Sequence, residues 1–296
     1  MSPTRFHLVD VFATERYAGN QLAVVENPRS LTDERMGALA AEFDFSETTF
    51  VSLDGEPYHT RIFTPREEIP FAGHPTLGTA WVVRERAGGD LDIDGAAEVV
   101  LDLPVGEVPV DVRTTDGAET LWMRQPTPTF GERRSHERAA AVLGLPIDAL
   151  DRDLPVQAVS TGLPTVVVPV RDREALTGIE IDRAAYDAFV ADREAKNVLA
   201  FCSDPREARN DLAVRVFAPY YGVPEDPATG SSNGCLAGYL ARHRADGTIS
   251  VRVEQGYEMG RPSLLFLHAH TGTDAGDGID VEVGGRVVPV GSGTFR

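Results

Sequence analysis

The sequence predicts an α+β chain built from two similar halves. Three observations carry that prediction. A motif recurs: Arg61-Ile62-Phe63-Thr64-Pro65, followed by Ile69-Pro70, returns 154 residues later as Arg215-Val216-Phe217-Ala218-Pro219, followed by Val223-Pro224. The flanks of both copies read in the same order of strand, helix, strand, strand, turn, apolar helix and further strands. The chain has 296 residues, 42% of them hydrophobic, which supports one large core or two medium ones.

Each element follows from its local pattern. Leu22 to Val25 is a β-branched run, and Asp33 to Phe43 is amphipathic at helical spacing. Thr49 to Leu53 and the stretch ending at Phe63 read as short strands. A glycine- and threonine-rich turn then opens an apolar helix, roughly Pro75 to Arg86. Strands are expected at Glu98 to Leu103 and Val108 to Val112. Pro126, Pro128 and Gly131 cluster as a linker near Pro126 to Arg133. The second half repeats the series. Thr165 to Val170 is a strand and Asp182 to Asp192 a helix. Val198 to Cys202 and the stretch ending at Phe217 are strands. The apolar helix runs from Ser232 to Arg244, and strands follow at Ile249 to Glu254 and Ser263 to His268. The expected domains are residues 1–128, completed by about 286–296, and residues 129–285.

Composition narrows the function. Acidic residues outnumber basic ones 46 to 28, a net charge of -18, which is not the footprint of a nucleic-acid binder. Basic stretches that hold proteins on anionic membranes are missing, and no run of about 18 apolar residues occurs. Lys196 is the one lysine, so Schiff-base chemistry has a single candidate. The absence of a signal-like N-terminus and the presence of only two cysteines, Cys202 and Cys235, predict a cytoplasmic protein with reduced thiols.

Candidate chemistry sits at two turns and a strand mouth. Phe71-Ala72-Gly73-His74-Pro75-Thr76 precedes the first apolar helix, and Glu225-Asp226-Pro227-Ala228-Thr229-Gly230-Ser231-Ser232 precedes the second. Helix starts expose unpaired amides and glycine admits a ligand closely, so two such turns facing one cleft would bind a carboxylate or phosphate. The competing reading makes Thr76, Ser231 and Ser232 ordinary N-caps. His74 and Asp226 are placed at nearly equivalent repeat positions. A histidine at a helix start has its pKa lowered toward the neutral imidazole, whereas Asp226 could simply complement the helix dipole. Glu47, at the mouth of an apolar strand, suits a group that takes and returns a proton; the alternative is an exposed acid. Gly19-Asn20-Gln21 would offer Asn20 to a substrate or only close a turn. His268 and His270 share a strand face, but no further ligands stand at metal spacing. Walker, Rossmann and Gly-x-Ser-x-Gly motifs are lacking.

These residues also form a recognisable series. Val9-Asp10-Val11-Phe12 with Gly19-Asn20, Ser46-Glu47-Thr48-Thr49-Phe50-Val51, Thr64-Pro65 with Gly73-His74-Pro75-Thr76-Leu77-Gly78, Glu225-Asp226-Pro227-Ala228-Thr229-Gly230-Ser231, and Gln255-Gly256 with Gly260-Arg261-Pro262-Ser263 stand in order. The chain resembles the PhzF-type family of phenazine-biosynthesis-like isomerases and epimerases. The resemblance implies a diaminopimelate-epimerase-like fold: two pseudo-symmetric domains, each a curved, mostly antiparallel sheet wrapped around a central helix. It implies Glu47 as catalytic acid/base, His74 and Asp226 as its assistants, and Gly73 and Ser231 as binders of the substrate acid; Asn20, Thr229 and Gly230 complete the expected substrate-binding set. It also implies a homodimer. Related racemases place a cysteine in each turn; here the turns hold Gly-His and Asp, which disfavours a two-thiol mechanism.

The expected function is a cofactor-independent, metal-free isomerase that moves a proton on a small carboxylate in the interdomain cleft. The alternatives are a racemase, epimerase or lyase on the same scaffold, or a silent protein that binds a small acid.

Overall fold

β-Branched and aromatic runs become strands near the positions that the sequence suggests, and the strands set where the candidate residues emerge. The computed structural model describes residues 4–87, 97–243, 247–272 and 278–295. The chain divides into two compact units, Met1–Arg124 with Gly284–Arg296, and Gln125–Val283.

The first unit opens with β1 (Thr4–Val11), β2 (Asn20–Glu26), α1 (Asp33–Phe43), β3 (Thr48–Val51), β4 (Tyr58–Phe63) and β5 (Glu68–Ile69). Then come α2 (Gly73–Ala87), β6 (Ala97–Leu103), β7 (Gly106–Thr115) and β8 (Ala118–Gln125). The second unit holds β9 (Thr129–Arg134), α3 (His136–Leu143), β10 (Val156–Ser160), β11 (Thr165–Pro169), α4 (Arg173–Thr177), α5 (Arg183–Val190), β12 (Asn197–Cys202) and β13 (Leu212–Ala218). It continues with β14 (Val223–Asp226), α6 (Gly230–His243), β15 (Thr248–Gln255), β16 (Ser263–Thr271) and β17 (Ile279–Gly285). The last strand, β18 (Val287–Phe295), pairs antiparallel with β1 and so completes the first unit.

The two units share one pairing scheme. In the first, β2 and β3 run parallel, β3–β4 and β4–β5 are antiparallel, and β4–β6 is parallel. In the second, β11–β12 is parallel, β12–β13 and β13–β14 are antiparallel, and β13–β15 is parallel. The pairs β1–β2, β6–β7, β10–β11 and β15–β16 are antiparallel, so each sheet is mixed but mostly antiparallel.

One helix in each unit is buried on nearly all sides. α2 packs against β1, β2, β3, β6, β7 and β18, and its Leu77, Ala80, Val82 and Val83 are buried. α6 packs against β10, β11, β12, β15 and β16 and buries Cys235, Leu236, Tyr239 and Leu240. This is the arrangement of a sheet wrapped around a central helix, and it explains why neither helix shows a clean amphipathic stripe. Outer helices cover the other face: α1 buries Met36 and Ala40 against Phe50 and Phe63, and α3 and α5 bury Val142, Tyr186 and Phe189. Thr32 and Asp182 cap α1 and α5 by accepting from the Arg35 and Ala185 amides.

Register corrects the sequence alignment of the copies. Ile62 stands opposite Ile69, and Val216 stands opposite Asp226. The turn Pro219–Tyr221 with Gly222 gives the second copy three more residues than the first. Past this turn Glu68 matches Glu225, Pro70 matches Pro227 rather than Pro224, and Gly73 matches Gly230. His74 therefore corresponds to Ser231, and Asp226 corresponds to Ile69, not to a neighbour of His74. Both helices also start two residues earlier than expected, at Gly73 and Gly230, and the predicted end at Arg244 lies outside the described residues.

Candidate active site

In the first unit the strands and α2 gather Asn20, Glu47, Gly73 and His74. Asn20 opens β2 and is buried. Gly19 before it has φ +65°, and a Cβ there would stand 2.3 Å from the Val11 carbonyl oxygen, so this turn requires glycine. Glu47 directly precedes β3, whose four residues are all buried. Alternation along the strand turns Thr49 and Glu47 toward α2, where the Thr79 hydroxyl donates to Thr49 Oγ1 at 2.8 Å. Gly73 and His74 form the first turn of α2.

These placements put His74 between two partners. Its Nδ1 lies 3.4 Å from Asn20 Nδ2, and its Nε2 lies 3.5 Å from Glu47 Oε2. The His74 side chain is only 7% exposed, and that of Glu47 18%, with the Oε2 atom itself buried. Burial lowers the His74 pKa to about 3, and a hydrogen bond to the Gln21 backbone opposes this less strongly. Desolvation, rather than the helix start alone, thus keeps the imidazole neutral. Glu47 faces a buried ring, not bulk solvent, and the reading of it as an exposed acid is set aside. Thr76 is not an N-cap: it lies inside α2, and its hydroxyl donates to the Ala72 carbonyl at 2.8 Å.

In the second unit Asp226 ends β14, Thr229 precedes α6, and Gly230 and Ser231 open it. The Thr229 hydroxyl donates to Asp226 Oδ2. Gln255 at the end of β15 donates to the Asp226 carbonyl at 2.7 Å and to Thr229 Oγ1 at 3.1 Å, and accepts from the Thr229 amide at 3.3 Å. Asn233 donates to Gln255 Oε1 at 2.8 Å and to the Thr229 carbonyl at 3.0 Å. Ser263 donates to the Pro227 carbonyl at 2.8 Å. Ser232 does not cap the helix; its hydroxyl meets Thr165 Oγ1 at 3.0 Å. Sequence reasoning missed Gln255 and Asn233. The motif Gln255-Gly256 was visible, but nothing in it showed that a strand end would reach a turn nearly thirty residues upstream.

Each helix start leaves backbone amides outside the helical ladder, those of Gly73 and His74 in α2 and of Gly230 to Ser232 in α6. Free N–H groups at a helix start are of the kind that accept an anion. Lysine and thiol chemistry lose their candidates. Lys196 donates to the Val190 and Ala191 carbonyls at the end of α5 and lies over the Tyr220 ring, which makes it a helix plug. Cys202 and Cys235 are buried free thiols; burial raises Cys202 to about 11 and raises Cys235 also. No cluster of three or more His, Cys, Asp or Glu suited to a metal occurs among the described residues, and no helix among them is long and apolar enough to cross a membrane.

The chain is similar to known proteins over nearly its whole length. The family model PhzC-PhzF, described as phenazine biosynthesis-like protein, matches residues 9–293. The chain is 36% identical over 305 residues to an uncharacterized isomerase of Mesorhizobium japonicum, covering 99% of both proteins. It is 36% identical over 288 residues to the trans-2,3-dihydro-3-hydroxyanthranilate isomerase of Pseudomonas aeruginosa, covering 95% of both. A crystal structure of a Bacillus anthracis phenazine biosynthesis protein of the PhzF family superposes with a TM-score of 0.89 at 25% identity over the whole of both chains. A match of this length, with the same fold and with relatives named as isomerases, identifies the chain as an isomerase belonging to the PhzC-PhzF family.

Proposed function

We propose that this isomerase moves a proton on a small unsaturated carboxylate by general acid/base catalysis, with Glu47 as the group that carries the proton. The observation that carries the reading is the buried pair His74 Nε2 and Glu47 Oε2, 3.5 Å apart. A carboxylate beside a neutral imidazole accepts a proton from a carbon acidified by a neighbouring carboxyl or double bond. The resulting Glu47 acid returns it to a second carbon. His74, held neutral, stands beside Glu47 without competing for the proton. The amides of Gly73 and Ser231 would bind the substrate acid and the charge that develops on it, while Asp226, Thr229, Gly230 and Asn20 would orient the remainder. No cofactor enters these steps. Two buried free thiols fit a reducing, cytoplasmic setting, and a homodimer is part of the proposal.

The divergence of the two copies favours one base over two. Phe63 stands opposite Thr48, and Phe217 opposite Val198, so Glu47 corresponds to Asn197. The second copy thus carries Asn197 and Ser231 where the first carries Glu47 and His74. A single proton carrier suits transfer between two carbons of one substrate face better than inversion at one carbon, which ordinarily takes a base on each side.

The test is incubation of the protein with trans-2,3-dihydro-3-hydroxyanthranilate and a panel of small unsaturated acids in D2O, read by mass spectrometry and NMR. One deuterium or proton relocated, with the mass otherwise unchanged, is the expected result. Loss of water would show a lyase and inversion alone a racemase. Binding without exchange across the panel would show a silent acid-binding protein.

A further inference from the structure

We propose that Gln255 is a positioning residue that aims the Asp226 carboxylate by acting through the Thr229 hydroxyl; the inference rests on the functional reading above. Gln255 is 1% exposed, and all four of its amide hydrogen-bond positions are used, every one by the segment from Asp226 to Asn233. Its orientation is not ambiguous. The Asp226 carbonyl can only accept and the Thr229 amide can only donate, so Nε2 must face the first and Oε1 the second. Nε2 then also donates to Thr229 Oγ1. A hydroxyl that accepts from an amide on one side has its own proton turned away from that donor. The Thr229 proton goes to Asp226 Oδ2. Gln255 thus sets the direction of the Thr229 proton, and Thr229 fixes one carboxylate oxygen.

The first copy of the fold separates this role from mere support of the turn. There β6 runs parallel to β4 with Tyr58 opposite Leu101, as β15 runs parallel to β13 with Leu212 opposite Val253. Register makes Leu103 the counterpart of Gln255, Ala72 the counterpart of Thr229 and Ile69 the counterpart of Asp226. The same strand, turn and buried helix therefore form in the first unit with leucine, alanine and isoleucine at these places. One bond common to both turns remains: Thr76 donates to the Ala72 carbonyl where Asn233 donates to that of Thr229. That bond is the part of the turn that both copies keep. The relay Gln255–Thr229–Asp226 occurs only in the copy whose turn carries an acid.

The experiment borrows the first copy's residues. Gln255→Leu, Thr229→Ala, the double variant and Glu47→Gln are assayed with trans-2,3-dihydro-3-hydroxyanthranilate, alongside thermal unfolding. Each single relay variant is expected to lower kcat at least tenfold and to change KM less than threefold. The double variant is expected within about twofold of the worse single, because coupled residues are non-additive. Gln255→Glu keeps the size and the acceptor but loses both donors, and is expected to match Gln255→Leu. Should Gln255→Leu fail to fold, Thr229→Ala and Gln255→Glu carry the same expectation. Wild-type kcat in Gln255→Leu or Thr229→Ala with Glu47→Gln inactive overturns the inference and leaves the functional reading standing, as does a double variant whose losses multiply. Absent turnover by the wild-type protein, or full turnover by Glu47→Gln, overturns both.

Discussion

At the residue scale the account rests on a neutral histidine against a carboxylate. The His74 pKa lies near 3 when folded and near 6.5 when the ring is free in water. Between those values the unfolded chain holds more protons than the folded one, so stability rises with pH across that window. The stabilisation is complete above about pH 6.5 and is lost as pH falls toward 3, by at most about 1.4 kcal/mol per pH unit. His74→Asn removes this dependence. Urea unfolding at pH 7 and pH 5 should show the variant losing about 2 kcal/mol less than the wild type over that interval; equal losses would contradict the burial of a neutral ring. Sequence showed the residue types at this site and their order. It did not show that Asn20 would stand against His74, because that contact joins β2 to a helix start over fifty residues later.

At the scale of elements, close approaches and ion pairs hold the turns. Gly256 follows β15 at φ +79°, and a Cβ there would stand 2.4 Å from the Arg261 carbonyl oxygen and 2.5 Å from that of Pro227. Backbone oxygens on both sides cannot yield cheaply. Gly256→Ala is therefore expected to cost about 2–3 kcal/mol in denaturant unfolding and to lower kcat with it. The repeated arginines make a matched comparison. Arg61 holds Glu68 with two hydrogen bonds, and Arg215 holds Glu225 likewise. The Arg215 side chain is 9% exposed against 21% for Arg61, and it also donates to the Leu176 and Ile179 carbonyls. Removing one partner of a buried pair strands the other. Arg215→Met should cost about 3–5 kcal/mol and Arg61→Met distinctly less, measured by the same unfolding curves. The repeat itself was legible as Arg-x-Phe-x-Pro. Its continuation was misread because Tyr220, Tyr221 and Gly222 lengthen one turn, and only strand register reveals such an insertion.

At the scale of the whole molecule, two copies of one pairing scheme carry different residues at equivalent places, Glu47 against Asn197 among them. The central helices were legible as apolar runs and the strands as β-branched ones, since burial on both faces writes itself into composition. Their wrapping followed from the family resemblance and not from local pattern, because it depends on pairings between distant strands such as β1 with β18. A net charge of -18 plays no part in the proposed chemistry, but it makes the folded chain repel itself. Raising NaCl from about 0.02 M to about 0.5 M screens that repulsion and should raise the unfolding temperature by several degrees; a fall would show that specific surface ion pairs outweigh it.

Whether Glu47 carries the proton is tested most directly by solvent deuterium exchange into the substrate by Glu47→Gln. The amide keeps the shape beside His74 but cannot take a proton. With a small unsaturated acid that the wild-type protein isomerises, exchange and isomerisation should both fall by about 10²–10⁴-fold while the unfolding temperature stays near that of the wild type. Exchange at the wild-type rate in a folded Glu47→Gln protein would contradict the claim.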